Sequence, residues 1–546
     1  MLRKRNILAV MLTVCMLLTM TVSIASAGAE AVDPYGPVAD QKTVVHIGRE
    51  ETANVTYPEG ENSHDNYIVK YLSEQLNVDY VYDFSVDTAS YETKIAMAIA
   101  SGDMPDVMVV NYTQLRQLVD AGAIEDMTDA YNTYVSPKLS KAFESTNGIS
   151  YKLSTFDGKM MAIPNMFPGM DTIPLLYIRG DWMEELGLQD PKTLDDVISI
   201  ANTFKEKNPG GSVTSGLVVS KEPIQEGGGQ YNVNALFALY GAAPKHWIEK
   251  DGEIVYGSIT KEARTALEKI RELVKSGVID ASFAVRDSAQ CTEMIHSGQA
   301  GMYYAPWWNG QALVSMLEKA PDSVHWNIYL VPTNPDGTYD VYMKTPTTNY
   351  IVVKKGCSED VKEAVVKTVN YQYDLDQDQA LAVRPNGMDT PFSWHYYPIN
   401  TLHCDYDAKE VQIQSVMDCI DGKIAYDDLS GDGKTWYNGY TTVLKDGFRA
   451  AVNKNISTAN AWGWSTGAWE VQRNSAMINR INDVTYAKTP TMETEWATLE
   501  TMEDEVYLQI LTGDADITAF DEFVANWKAL GGDSITQEVK DIAAGN

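Results

Sequence analysis

The sequence predicts an α/β protein built of two or more lobes, and three observations predict it. The chain has 546 residues, more than one compact core usually organises. From residue 43 onward, short apolar runs alternate with stretches whose apolar residues recur every three or four positions. That is the grammar of parallel sheets covered by helices. The same grammar starts afresh after residue 172, so a second α/β unit is expected to follow the first.

The elements justify this in order. VVHIG (44–48) is the first strand, and Ile68, Tyr71, Leu72 and Leu76 follow at helical spacing. VDYVYDF (78–84) is the next strand. Ser90 can cap a helix whose Ile95 and Ile99 share a face; Gly102 stops it, and Pro105 precedes the strand DVMVV (106–110). In the second unit, IPLLYIR (173–179) reads as a strand. Thr193 and Asp196 resemble a capping box ahead of Val197, Ile200, Ala201 and Phe204 on one helical face. Thr260 caps another helix, which Gly277 closes. GMYYA (301–305) and WNIYLVP (326–332) are strands, and NYIVVKK (349–355) is a strand followed by a helix that Ser358 caps. Phe520, Phe523, Val524 and Trp527 form a stripe near the end.

Lys plus Arg number 43 against 75 Asp plus Glu, a net charge of −32. This disfavours nucleic acid, whose phosphates need a basic face, and direct adhesion to an anionic membrane. The 12 Trp and 31 Tyr outnumber 11 Phe, and Tyr and Trp suit wet binding surfaces because each pairs an apolar face with a polar tip. The N-terminus reads as an export signal. Arg3, Lys4 and Arg5 precede an apolar run, and Ala25-Ser26-Ala27 offers a cleavage site. The alternative is a lipid anchor on Cys15, but Val14 stands where a small residue belongs. Residues 28–42 read as a flexible tether. Cys291, Cys357, Cys404 and Cys419 form no CxxC pair and are read as free thiols.

The chemistry motifs are mostly negative. Gly463-Trp464-Ser465-Thr466-Gly467 fits a nucleophile elbow, but the preceding STANAW is not a buried strand. All seven histidines lie before Ser465, which breaks the hydrolase chain order. Asp428, Ser430, Asp432 and Gly433 open like a calcium loop, yet Gly439 stands where a bidentate Glu is needed. No HExxH occurs.

Four segments, in this order, resemble the extracellular solute-binding proteins of carbohydrate ABC importers, in their large Gram-positive branch. KIAMAIASGDMPDVMVVN (94–111) resembles the family's helix, SGD-x-PD turn and strand. LYIRGDWMEELGLQDPKTLDDVISIANTFKEKNP (176–209) resembles its R-x-DW, LGL, P-x-T segment. MIHSGQAGMYYAPWWN (294–309) resembles its GxAGM strand followed by aromatics. FDEFVANWKALGGDSITQEVKDI (520–542) resembles its C-terminal helix pair.

The resemblance implies a two-lobed periplasmic-binding-protein-like fold of type II with a hinge. One lobe would comprise 43–172 with about 338–375, the other 173–337 with about 376–546. It also implies an oligosaccharide held between the lobes, membrane permease subunits as partners, a monomer on the outer face of the cell envelope, and no cofactor or catalytic residue. Many relatives carry an acidic calcium loop after the 193–207 helix. Here NPGGSVTSG (208–216) lacks acids, so no metal is carried over. A secreted glycosidase is the alternative function, since two carboxylates converge only in three dimensions. Peptides are the alternative ligand.

In open α/β sheets ligands lie beyond the carboxyl ends of strands. Aromatics cover a sugar's C–H face, while carboxylates, amides and guanidinium groups take its hydroxyls. Trp307 follows the GxAGM strand, where maltose-type relatives place a stacking aromatic; Trp308 and Asn309 come next. Asp171 lies six residues before Tyr177, where those relatives carry a ligand-binding carboxylate. Asn111, Tyr112 and Arg49 are candidates at other strand ends. Trp462, Trp464 and Trp469 are expected to form an exposed platform in a loop. Arg179, Asp181 and Trp182 are read as fold-defining.

Overall fold

A computed structural model describes residues 32–544 apart from 53–54, 56, 226–228, 318–319, 322 and 376–393. The export signal, Cys15 and residues 28–31 lie outside the described residues.

From Tyr35 onward the chain forms one compact unit containing two main sheets. β1 (Thr43–Glu51) runs parallel to β2 (Val78–Asp87) along its whole length and to β3 (Val107–Asn111) at Ile47. Between these strands lie α1 (Tyr67–Leu76) and α2 (Thr88–Ser101). Asp87 caps α2 by accepting from the Ser90 N–H, so the cap lies three residues ahead of the expected Ser90, and Gly102 ends the helix in the left-handed region as expected. α3 (Tyr112–Asp120) follows β3 directly, and β4 (Ile163–Pro164) comes later.

The chain then builds a second sheet from β5 (Leu175–Arg179), β6 (Met302–Ala305) and β7 (Trp326–Tyr329), in the order β6-β5-β7. α4 (Gly310–Leu317) links the last two. Thr193 and Asp196 form the expected capping box, and Thr260 caps its helix as expected. β8 (Tyr339–Met343) leads to β9 (Asn349–Val353), which returns to the first sheet between β3 and β4 and pairs antiparallel with both. Strand alternation divides that sheet between two cores. Val107, Ile351 and Val353 join the side shared with Val45 and Ile47. Met108, Val110, Tyr350 and Val352 join the side of Ile95 and Leu115.

After α5 (Glu359–Asp374), capped by Ser358, come α6 (Ala408–Ile420), α7 (Gly431–Asp446) and α8 (Ile456–Arg473). β10 (Ile478–Asn482) pairs parallel with β8. Three expectations change here. Residues 394–402, assigned from sequence to the second lobe, hold to the first sheet's side: Arg49 donates to the carbonyls of His395 and Tyr397, and Gln372 to that of Ile399. Residues 35–39 of the expected tether are tied down, because Lys367 donates to Gly36 O, Val38 N to Leu76 O and Asn77 to Ala39 O. The tryptophan-rich stretch is no loop but α8, started by Asn455, whose side chain accepts from Thr458 N.

Candidate ligand-binding site

The site grows from a short turn, Gly169–Thr172, that links the two sheets just before β5. Gly169 is required there: a Cβ would meet the Tyr406 ring at 2.7 Å. The turn presents Asp171. Beyond β6, Pro306 stops the strand and Trp307–Asn309 form one tight helical turn. That turn aims the Trp307 indole at Asp171, and Nε1 donates to Oδ1 at 2.8 Å.

Two further elements close on this pair. Trp436 of α7 lies with its ring centroid 5.4 Å from that of Trp307, tilted by 45°. The Lys409 ammonium of α6 stands 5.6 Å from the Trp436 centroid and 6.0 Å from the Trp307 centroid, a cation over two rings. Gln412 accepts from Lys409 at 3.1 Å. Lys344 lies 5.0 Å from the Phe167 ring. Burial pushes the Asp171 carboxyl above its ordinary pKa, while Lys344, the Trp307 N–H and Lys409 pull it back. Glu410 pairs with Arg480 at 2.7 Å, and burial raises its pKa too, with Arg480 opposing. Glu410 Oε2 and Gln412 Nε2 are buried without a hydrogen-bond partner. Two indoles, two ammonium groups, a carboxylate and these unspent polar atoms form one cluster, in which Trp436 is 3% exposed.

The sequence candidates fare unequally. Trp307 and Asp171 are brought together, but Trp307 is only 6% exposed, so it forms the floor and not an open platform. Its backbone is wedged against Gly467 of α8, where a Cβ would sit 2.5 Å from Trp307 O. Trp308 is half-buried against the core. Asn309 is buried and accepts from the Tyr303 hydroxyl at 2.7 Å, so its carbonyl is spent inside.

Asn111 caps α3 in a full capping box with Gln114 and also donates to Glu92 at 3.2 Å. Tyr112 lies against Phe156 and Tyr350. Arg49, expected at a ligand-facing strand end, is 1% exposed and clamps the carbonyls of His395, Tyr397 and Pro398. The reason is that the 395–398 segment crosses the end of β1 and takes the Nη1 and Nη2 donors, while Nε lies 3.4 Å from Glu51.

The expected three-tryptophan platform is split by helical geometry. Trp462 and Trp469, seven residues apart, share a face of α8, while Trp464 points roughly 140–160° away from them. All three are half-buried, not exposed. Trp462 and Trp469 line a separate cavity of about 370 Å³.

The Ser465 hydroxyl donates to Trp462 O inside the helix. The flanking Gly463 and Gly467 allow close packing against Gly310 and Trp307, so the nucleophile-elbow pattern is a helix contact. The residues after Asp428 enter α7, with Ser430 as its cap, so no twelve-residue calcium loop forms there. Sequence reading missed Trp436, Lys409, Lys344, Glu410 and Arg480. They come from α6, α7, β10 and the residue after β8, and no local spacing joins them to Trp307. Among the described residues no helix is long and apolar enough to cross a membrane.

A model of the family described as bacterial extracellular solute-binding protein matches residues 63–378. The chain is 30% identical to the lipoprotein LipO of Bacillus subtilis (strain 168) over 46% of this chain and 48% of that protein, so this match spans about half of LipO. It is 23% identical to the polygalacturonan/rhamnogalacturonan-binding protein YtcQ of the same organism, over 87% of this chain and 86% of that one. The solved structure of the alginate-binding protein AlgQ2 superposes with a TM-score of 0.63 over 93% of this chain and 99% of that chain, at 14% identity. The fold is therefore shared with it.

Proposed function

The chain belongs to the bacterial extracellular solute-binding proteins, and on that premise we propose that it captures an oligosaccharide between two lobes and delivers it to the permease of an ABC importer. The observation that carries this is the Trp307–Trp436 pair with Lys409 beside both rings and Asp171 bonded to one. The buried indole pair forms an aromatic floor, and the charged groups around it would bond hydroxyls or a sugar carboxylate. Relatives named for polygalacturonan, rhamnogalacturonan and alginate support the ligand class.

We assign the lobes as 43–172 with about 338–375 and 173–337 with about 376–546. Two boundary segments exchange sides: 394–402 goes with the first lobe and 339–343 with the second. Their hydrogen bonds and strand pairing support this exchange. Export through residues 1–27 is part of the same reading. N-terminal sequencing of secreted protein should start near Gly28, and a lipid-modified Cys15 would replace release with anchoring.

The test is a thermal-shift and calorimetry screen of the mature chain against neutral and uronic oligosaccharides. Ligand that binds only the folded state raises apparent stability with concentration. At least one oligosaccharide should do so saturably without being cleaved. A response to peptides alone, or release of reducing sugar, would overturn the reading.

A further inference from the structure

On the far side of α8 from Trp464, a cavity of about 370 Å³ lies between that helix and β7. β7 is the last strand of its sheet among the described strands, so its outer edge pairs with no further strand there. Trp462, Thr466, Trp469 and Arg473 stand at i, i+4, i+7 and i+11 and form one wall. Tyr440 of α7 backs that wall, its ring stacked on Trp469 at 4.8 Å and 6°. The opposite wall holds Trp326, Asn327, Tyr329 and Asp190.

The chemistry of this lining is that of a saccharide site. Aromatic rings stand next to a carboxylate at Asp190, an amide at Asn327 and an Arg473–Glu470 ion pair. Asp190 is exposed and accepts from the Tyr329 hydroxyl at 2.6 Å, which leaves its second oxygen for a hydroxyl. Trp326 closes the cavity on the sheet side. It is 8% exposed, it lines the cavity, and its indole N–H has no hydrogen-bond partner. A buried donor left unpaired is costly, and here it lies behind the cavity wall, where the Trp326 ring packs edge-on against Tyr303 at 5.5 Å. The cavity lies within the ~300–1,000 Å³ range of small-molecule sites.

We propose that this cavity is a second saccharide-binding site, separated from the Trp307–Asp171 cluster by α8 and able to hold a sugar unit without it. It rests on no part of the cleft reading. A site for one or two sugar units on the flank of a lobe would hold part of a long glycan while another part is selected elsewhere.

The experiment labels the mature chain with 5-fluorotryptophan and assigns the Trp462 and Trp469 signals by single Phe substitutions. The probes are methyl glucoside, methyl galactoside and free galacturonate, each taken to tens of millimolar. At least one should move both signals saturably, and should do so equally in Trp307→Phe protein, which keeps most of the packing at that position. Asp190→Ala, a substitution at an exposed position, should weaken that binding at least tenfold at unchanged melting temperature. Trp462→Ala should abolish it. Signals that none of the three sugars moves would overturn the proposal. So would shifts that weaken about tenfold in Trp307→Phe, which would merge the two places into one site, or shifts untouched by Asp190→Ala.

Discussion

The ends of β3 and β6 occupy equivalent places, each a strand terminus of the kind that faces ligand in α/β sheets, yet they are spent differently. At β3, Asn111 turns its side chain to the first turn of α3 and its remaining donor to Glu92. The Asn111 side chain there serves the fold. At β6, Pro306 interrupts the chain and Trp307 crosses to Asp171, into a cluster where Lys409 and Trp436 converge and two buried polar atoms stay unbonded. A helix started immediately after a strand consumes the strand-end side chain as a cap, whereas a proline stop frees it. Position along the sheet therefore locates a candidate, and the backbone just past the strand decides whether its side chain is available.

The largest effect that sharpens this contrast is at Trp307. Because it is 6% exposed, Trp307→Ala should cost about 3–5 kcal/mol of folding stability, read by urea unfolding, and should abolish ligand binding as well. Trp307→Phe keeps most of the packing but removes the N–H bonded to Asp171. It should stay within about 2 kcal/mol of wild type in stability while losing roughly tenfold in affinity by calorimetry. Full affinity in the Phe variant would mean that the indole N–H serves only the fold, as Asn111 does.

Next is the support behind Trp307. Gly467→Ala would place a methyl group 2.5 Å from Trp307 O, and overpacking of this kind costs about 1–3 kcal/mol. Ala favours helix over Gly by up to about 1 kcal/mol, so the net loss should be about 1–2 kcal/mol, seen as a lower urea midpoint. A stabilised variant would show that Trp307 and α8 can part at no cost.

These contrasts also mark what the sequence made legible. The strands at 107–111, 175–179, 302–305 and 349–353 follow from their apolar runs, and the Thr193, Thr260 and Ser358 caps from their spacing. Trp307 was singled out by its place past a strand end together with a family resemblance, and Asp171 by the resemblance alone; their contact across 136 residues carried no local signal. Arg49 was misplaced because the carbonyls that consume it lie more than 340 residues away. α8 was misread because Gly, Ser and Thr lower helix propensity. In the structure its small residues instead let α4 and Trp307 approach closely, and packing outweighs propensity. Lys409 and Trp436 carried no local signal, because a cation–aromatic cluster is assembled by tertiary packing of α6 on α7.

Titration gives a third comparison. Burial raises the pKa of Asp171, so the folded chain holds that proton more tightly than the unfolded chain does. The stability this contributes is fully present below the unfolded pKa and is lost as pH rises through the folded value. Asp171→Asn does not titrate, so relative to wild type it should gain ground between about pH 4 and neutrality. Urea midpoints at the two pH values measure it. A loss of ground instead would show that Lys344 and Lys409 outweigh burial and that Asp171 is held as an anion.

The smallest expected effect lies at the other strand end. Asn111→Ala removes a cap whose side chain accepts from Gln114 N at 2.9 Å, and such losses typically cost about 1 kcal/mol. In a chain of this size that is a shift of roughly 1–3 °C in melting temperature. The Gln114 side chain, which accepts from Asn111 N, keeps its half of the box and limits the damage. Asn111→Asp keeps the acceptor and adds a charge beside the helix N-terminus, which favours anions by about 0.3–1 kcal/mol, but it also sets that charge against Glu92, the present partner of the Asn111 amide at 3.2 Å. The two terms oppose, so the Asp variant should melt close to wild type while the Ala variant melts lower. Affinity for the oligosaccharide should change less than threefold in both. A tenfold loss of affinity in Asn111→Ala at unchanged melting temperature would return Asn111 to the binding surface, and would mean that a capping side chain can serve ligand and helix together.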